Sequence, residues 1–138
     1  MNTILSATLA VSLLCCSAAM AQETRETAPA RAAAEKWLAL VDAGDYTGAW
    51  NSSSADVRAN TSKFFWTTLI GGVRMPLGHA QSRTLKRTQA QAEGGKVTLE
   101  YASQFEKDKK ASETIATQRD KDGSWRVSGY SVEALTGR

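Results

Sequence analysis

The residues able to do chemistry are few, and their spacing excludes most of it. His79 is the single histidine. A catalytic imidazole needs a nucleophile or an orienting carboxylate, and Gly78-His79-Ala80 supplies neither. His79 therefore reads as an exposed residue where helix gives way to strand. Both cysteines, Cys15 and Cys16, sit in an apolar leader. Beyond residue 16 the chain has no thiolate nucleophile, no disulfide and no Cys-ligated metal. Asp120-Lys121-Asp122-Gly123 brings two carboxylates to a hairpin glycine, which is turn chemistry rather than a calcium loop. The pairs Gly71-Gly72 and Gly94-Gly95 lack both the Lys-Ser/Thr of a phosphate loop and the dinucleotide spacing. No catalytic residue, metal ligand or cofactor is assigned.

One charged pair carries a signal. Strand alternation puts Arg83 on the face of Leu85, and Glu113 on the face of Ile115. Both faces are expected to lie under the helices. A buried charge without a partner costs several kcal/mol. A structural Arg83–Glu113 ion pair, or plain exposure of both, is one reading. The other is a polar anchor in a ligand pocket lined also by Tyr101 and Trp66, since aromatic side chains dominate small-molecule clefts.

The elements that must position these residues follow from periodicity. Ala30, Ala33, Ala34, Trp37, Leu38 and Val41 form one helical face starting near Pro29, and Gly44 stops it. Asp45 is the N-cap of a short helix carrying Tyr46, Ala49 and Trp50. Residues 55–59 fit one further turn. Thr61 or Ser62 caps a third helix with two candidate rows, Phe65-Leu69-Val73 and Trp66-Ile70, which Pro76 and Gly78 end. From His79 the period becomes two. Strands are expected over 81–91, from Val97 to Phe105, over 112–119 and over 125–132, with turns at Gly94-Gly95, Asp108-Lys109-Lys110 and Asp122-Gly123. Trp125 shares a face with Val127 and is expected to pack under the helices. Trp37, Trp50 and Trp66 are expected in the core, each indole N–H with a partner. Helices followed by hairpins indicate an α+β fold: three N-terminal helices packed on a curved, four-stranded antiparallel sheet.

Composition bounds the rest. The 138 residues carry 17 basic and 14 acidic side chains, a net charge of +3. That suits one domain and no dedicated polyanion binder. The clusters at Arg83, Lys86 and Arg87 and at Lys107, Lys109 and Lys110 read as a solvated sheet edge and a hairpin tip, so no nucleic acid partner is expected. Met1 to Ala21 has no charged side chain and ends in Ala19-Met20-Ala21. This is the pattern of a signal peptide cut after Ala21, which sends the protein to the periplasm or outside the cell with no stable membrane anchor after cleavage. Leu14 before Cys15 makes a poor lipoprotein motif. Residues 22–28 are then a flexible polar segment, and residues 29–134 a single domain.

Trp37-Leu38-x-Leu40-Val41-Asp42-x-Gly44-Asp45-Tyr46-x-x-x-Trp50, Pro76-Leu77-Gly78 with Arg83, then Phe105, Glu113-Thr114, and Asp122-Gly123-x-Trp125-Arg126-Val127-x-Gly129-Tyr130 together resemble the bacterial family known as domain of unknown function 4019. The resemblance implies exported proteins and assigns no catalytic residue. The element order also resembles the nuclear transport factor 2-like superfamily, whose helices and curved sheet form a cone around a pocket, an analogy of fold alone. The expected function is a non-catalytic module binding a small ligand or an envelope component. The alternatives are a small isomerase- or cyclase-like enzyme using Glu113 with Tyr101, and a homodimeric scaffold pairing through the open sheet face.

Overall fold

The structure, a computed structural model, describes residues 16–135. Most of the leader assigned to residues 1–21 lies outside them. The order is α1 (Cys16–Asp42), α2 (Tyr46–Asn51), α3 (Ala55–Asn60), α4 (Lys63–Arg74), a 3-10 turn (Met75–Leu77), then β1 (Ala80–Ala90), β2 (Lys96–Phe105), β3 (Ala111–Arg119) and β4 (Trp125–Ala134). The four strands form one open antiparallel sheet in the order β1-β2-β3-β4. The fold is α+β with four helices rather than three. The additional one is α3, where the Ser54 hydroxyl accepts from the Val57 N–H and turns the expected single turn into a capped helix.

Local chemistry sets each boundary. α1 begins at Cys16 and passes through Pro29, rather than starting there, so it also spans the segment expected to be flexible. The proline removes one backbone donor but its φ is helical. Gly44, at φ +76°, ends the helix. The Asp45 carboxylate then accepts from the Gly48 N–H at 2.8 Å, and Ser62 caps α4 by accepting from the Phe65 N–H. Gly78, also at φ +76°, closes the 3-10 turn, where a Cβ would meet the Glu106 carboxylate.

The core lies between α1 and the inner face of the sheet. Ala30, Ala34, Trp37, Leu38 and Val41 bury one stripe of α1 against Val97, Leu99, Tyr101, Ile115 and Val127. Trp37 is the centre: its ring meets Trp66 edge-on at 5.9 Å and Tyr130 at 5.2 Å. Its indole N–H donates to the Ser53 hydroxyl at 3.1 Å, whereas the buried Trp50 indole N–H has no partner. Trp66 and Ile70 are the buried row of α4, joined by Arg74, while Phe65, Leu69 and Val73 are exposed. Trp125 is only partly buried, with the Arg119 guanidinium over its ring.

Candidate functional site

Glu113 has no solvent exposure, and side chains from four other elements, β1, β2, β4 and α4, converge on it. β2 and β3 keep strict alternation, with Val97, Leu99, Tyr101, Ser103 and Phe105 on one strand and Ala111, Glu113, Ile115 and Thr117 on the next all buried. Cross-strand register sets Tyr101 opposite Glu113 and Arg83 opposite Ser103, so all four share the inner face. Arg83 donates through Nε to Glu113 Oε2 and through Nη2 to Oε1, the latter at 3.1 Å. The same guanidinium donates through Nη1 and Nη2 to the two carboxylate oxygens of Asp42, at the end of α1. Arg74, the last residue of α4, donates to Asp42 at 2.7 Å and stands 3.7 Å from Glu113. The Ser103 hydroxyl donates to Glu113 Oε2, and the Tyr130 hydroxyl donates to Oε1 at 2.6 Å.

Two arginines thus balance two carboxylates, and the pairs tie the last turns of α1 and α4 to β1 and β3. Phe105 lies beneath, with the Arg74 guanidinium 4.8 Å from its ring centre. Burial pushes the Glu113 carboxyl up, but the hydrogen bond and charge of Arg83, with the donors Ser103 and Tyr130, outweigh it and hold Glu113 below the usual carboxylate range. Asp42 follows the same balance: burial raises it, and Arg83 and Arg74 bring it below its ordinary value. Burial and the Glu113 charge push the Tyr130 phenol well above its usual range, so it stays a donor. A carboxylate so held is a poor proton donor near neutrality.

The expected residues separate. Arg83 and Glu113 are a tight pair. Tyr101 shares their face but does not bond to Glu113. Its hydroxyl is buried beside the Arg31 guanidinium with no acceptor for its proton, on the wall of a pocket of about 240 Å³ lined also by Glu35, Leu38, Asp42, Arg83 and Leu85. Burial and the nearby Glu35 carboxylate raise the Tyr101 phenol. Trp66 does not line that pocket. It walls a smaller one of about 100 Å³ with Trp37, Leu69, Val127 and Tyr130. His79 is exposed, and its backbone N–H donates to Glu106. Among the described residues, no group of three or more His, Cys, Asp or Glu is placed to hold a metal ion, and no helix is long and apolar enough to cross a membrane.

Sequence reasoning missed Asp42, Arg74 and Tyr130. Asp42 and Arg74 end helices, where charged residues ordinarily face water. Alternation from Trp125 and Val127 puts Tyr130 outside, but the register shift opposite Ala116 and Thr117 moves it inward, opposite Ile115. The mid-strand Gly129 was the available signal, since glycine inside a strand marks a bulge.

The known proteins add one finding. No curated protein and no solved structure matches the chain, so the likeness to the nuclear transport factor 2-like cone has no structural match behind it. A family model described as "Protein of unknown function (DUF4019)" matches residues 33–130, which hold the whole network from Asp42 to Tyr130. The chain belongs to the DUF4019 family.

Proposed function

We propose that the protein is an exported, non-catalytic module that binds a small polar ligand in the pocket beside Tyr101. The observation that carries this reading is the Tyr101 hydroxyl, buried at a pocket wall with no acceptor for its proton. An unsatisfied buried hydroxyl costs about 1–3 kcal/mol, so a ligand that meets it gains that amount. The Arg31–Glu35 pair at the pocket rim is half-exposed on both sides. Such surface pairs contribute about 0–1 kcal/mol, so a ligand displaces one at little cost. Arg83 and Asp42 supply a fixed donor and acceptor, which suits a ligand carrying both kinds of group. The charge-free leader and its Ala19-Met20-Ala21 end support export with cleavage after Ala21. The pairing of Glu113 with Arg83 weighs against the enzyme reading.

A thermal-shift screen of small polar compounds tests the binding claim. Hits should raise the melting temperature of the wild type and lose that effect in Tyr101→Phe. Equal shifts in both proteins would place the ligand elsewhere, and a screen without hits would count against a small ligand. The intact mass of protein from a periplasmic extract tests export: the expected species begins at Gln22, and one retaining Cys16 with added acyl mass would contradict it.

A further inference from the structure

We propose that the outer face of α4 pairs two copies of this chain. From Phe64 to Val73 this helix carries no charged residue. Its inner row is buried, yet Phe64, Phe65, Leu69 and Val73, with Met75 just beyond, are exposed, Phe64 to 83% and Phe65 to 61%. A surface helix ordinarily turns charged side chains to water, and one that is apolar on all sides is normally covered.

Gly72 gives the second observation. A glycine inside a helix costs about 0.5–1 kcal/mol relative to alanine. Gly71 faces the chain itself, where a Cβ would make an ordinary contact with the Tyr46 ring at 3.5 Å. Gly72 faces open space, where a Cβ would meet nothing within 4 Å, so nothing within the chain requires a glycine there. At about 100° per residue, Gly72 falls in the middle of the exposed arc. Thr68, one turn earlier, donates its hydroxyl to the Phe64 carbonyl at 2.8 Å, so no polar hydrogen is left over. Thr68 and Gly72 form a shallow groove. Phe65, Leu69 and Val73 make a ridge on one side of it, and Phe64 and Met75 make one on the other.

A two-fold pair needs knob and hole on the same patch, and this helix has both. With a full phenylalanine side chain at about 200 Å², the five exposed residues present on the order of 550 Å² per copy. A symmetric pair then buries on the order of 1,100 Å² before flanking polar groups are counted, above the roughly 1,000 Å² a specific interface needs. The uncharged stripe brings no like charges together across the axis. A lipid surface would require neither the groove nor a glycine at its centre. The sheet's outer face is the weaker place for such a pair, because Thr98, Glu100, Thr114 and Gln118 make it polar.

Sedimentation velocity on the purified protein, with two variants, tests this. Phe65→Glu completes a capping box with Ser62, and Gly72→Leu replaces a poor helix former in open space, so both should fold at least as well as the wild type. The wild type should sediment as a dimer at micromolar concentration. Each variant should self-associate at least about tenfold more weakly with an unchanged circular dichroism spectrum. A wild type that stays monomeric at high concentration overturns the proposal, as do variants that dimerise as tightly as the wild type. A monomeric wild type that sediments with anionic vesicles, and loses this in Phe65→Glu, would overturn it in favour of a lipid surface.

Discussion

Arg83 grips two carboxylates at once, Asp42 at the end of the longest helix and Glu113 in the middle of the sheet. A guanidinium has five donors in a rigid fork, and Arg83 spends four hydrogen bonds on these two partners. The bridge fixes where α1 ends over the sheet and so shapes the pocket beside Tyr101.

Acid should weaken the fold through the same residues. Asp42 and Glu113 are both held below their ordinary values, so each contributes stability that is present above about pH 4 and lost as pH falls through its lower folded value. Melting temperature should be flat near neutrality and drop below about pH 4, and Glu113→Gln should reduce that drop. A melting temperature that rises on acidification would contradict the assignment.

The two inward tyrosines should respond with opposite sign. Tyr130 donates to a buried carboxylate, so Tyr130→Phe should cost about 1.5–3 kcal/mol. Tyr101 donates to nothing, so Tyr101→Phe removes an unsatisfied group and should be neutral or stabilising. Urea midpoints compare them directly. Equal losses would show that the Tyr101 hydroxyl has a partner.

Tryptophan positions rank by burial. Trp37→Ala should cost about 3–5 kcal/mol, as truncation of a fully buried aromatic does. Trp125→Ala should cost less, because Trp125 is partly exposed beside Arg119. His79→Ala should stay within roughly 0.5 kcal/mol. A Trp125 variant as damaged as the Trp37 variant would mean that β4 lies deeper under the helices.

The inward pair was legible in sequence because β3 alternates without interruption through Glu113 and Ile115, and β1 keeps its alternation from Arg83 to Leu85, between its two register shifts. That regularity made the phases of Arg83 and Glu113 readable from Leu85 and Ile115 alone. Caps were legible for a similar reason: Asp45 and Ser62 each act within three residues of their own position. What failed was anything set by rotation or register shift. Two rows of α4 were equally apolar, and only packing against Trp37 selected Trp66 and Ile70. Asp42 and Arg74 enter the network because two helix ends meet over β1, a tertiary fact with no local pattern. Tyr130 needed the bulge beside Gly129.

A double-mutant cycle of Arg83→Met and Glu113→Gln distinguishes a structural clamp, which this buried pair is, from proton-transfer machinery. Each single change leaves a buried partner short of its counter-charge and should cost about 3–5 kcal/mol in urea unfolding. The double variant should cost clearly less than the two added together. Carboxyl titration of Glu113 in the wild type should give a value below the ordinary glutamate value. Additive losses, with a Glu113 titration above about 4.3, would contradict the account and return Glu113 to the enzyme reading.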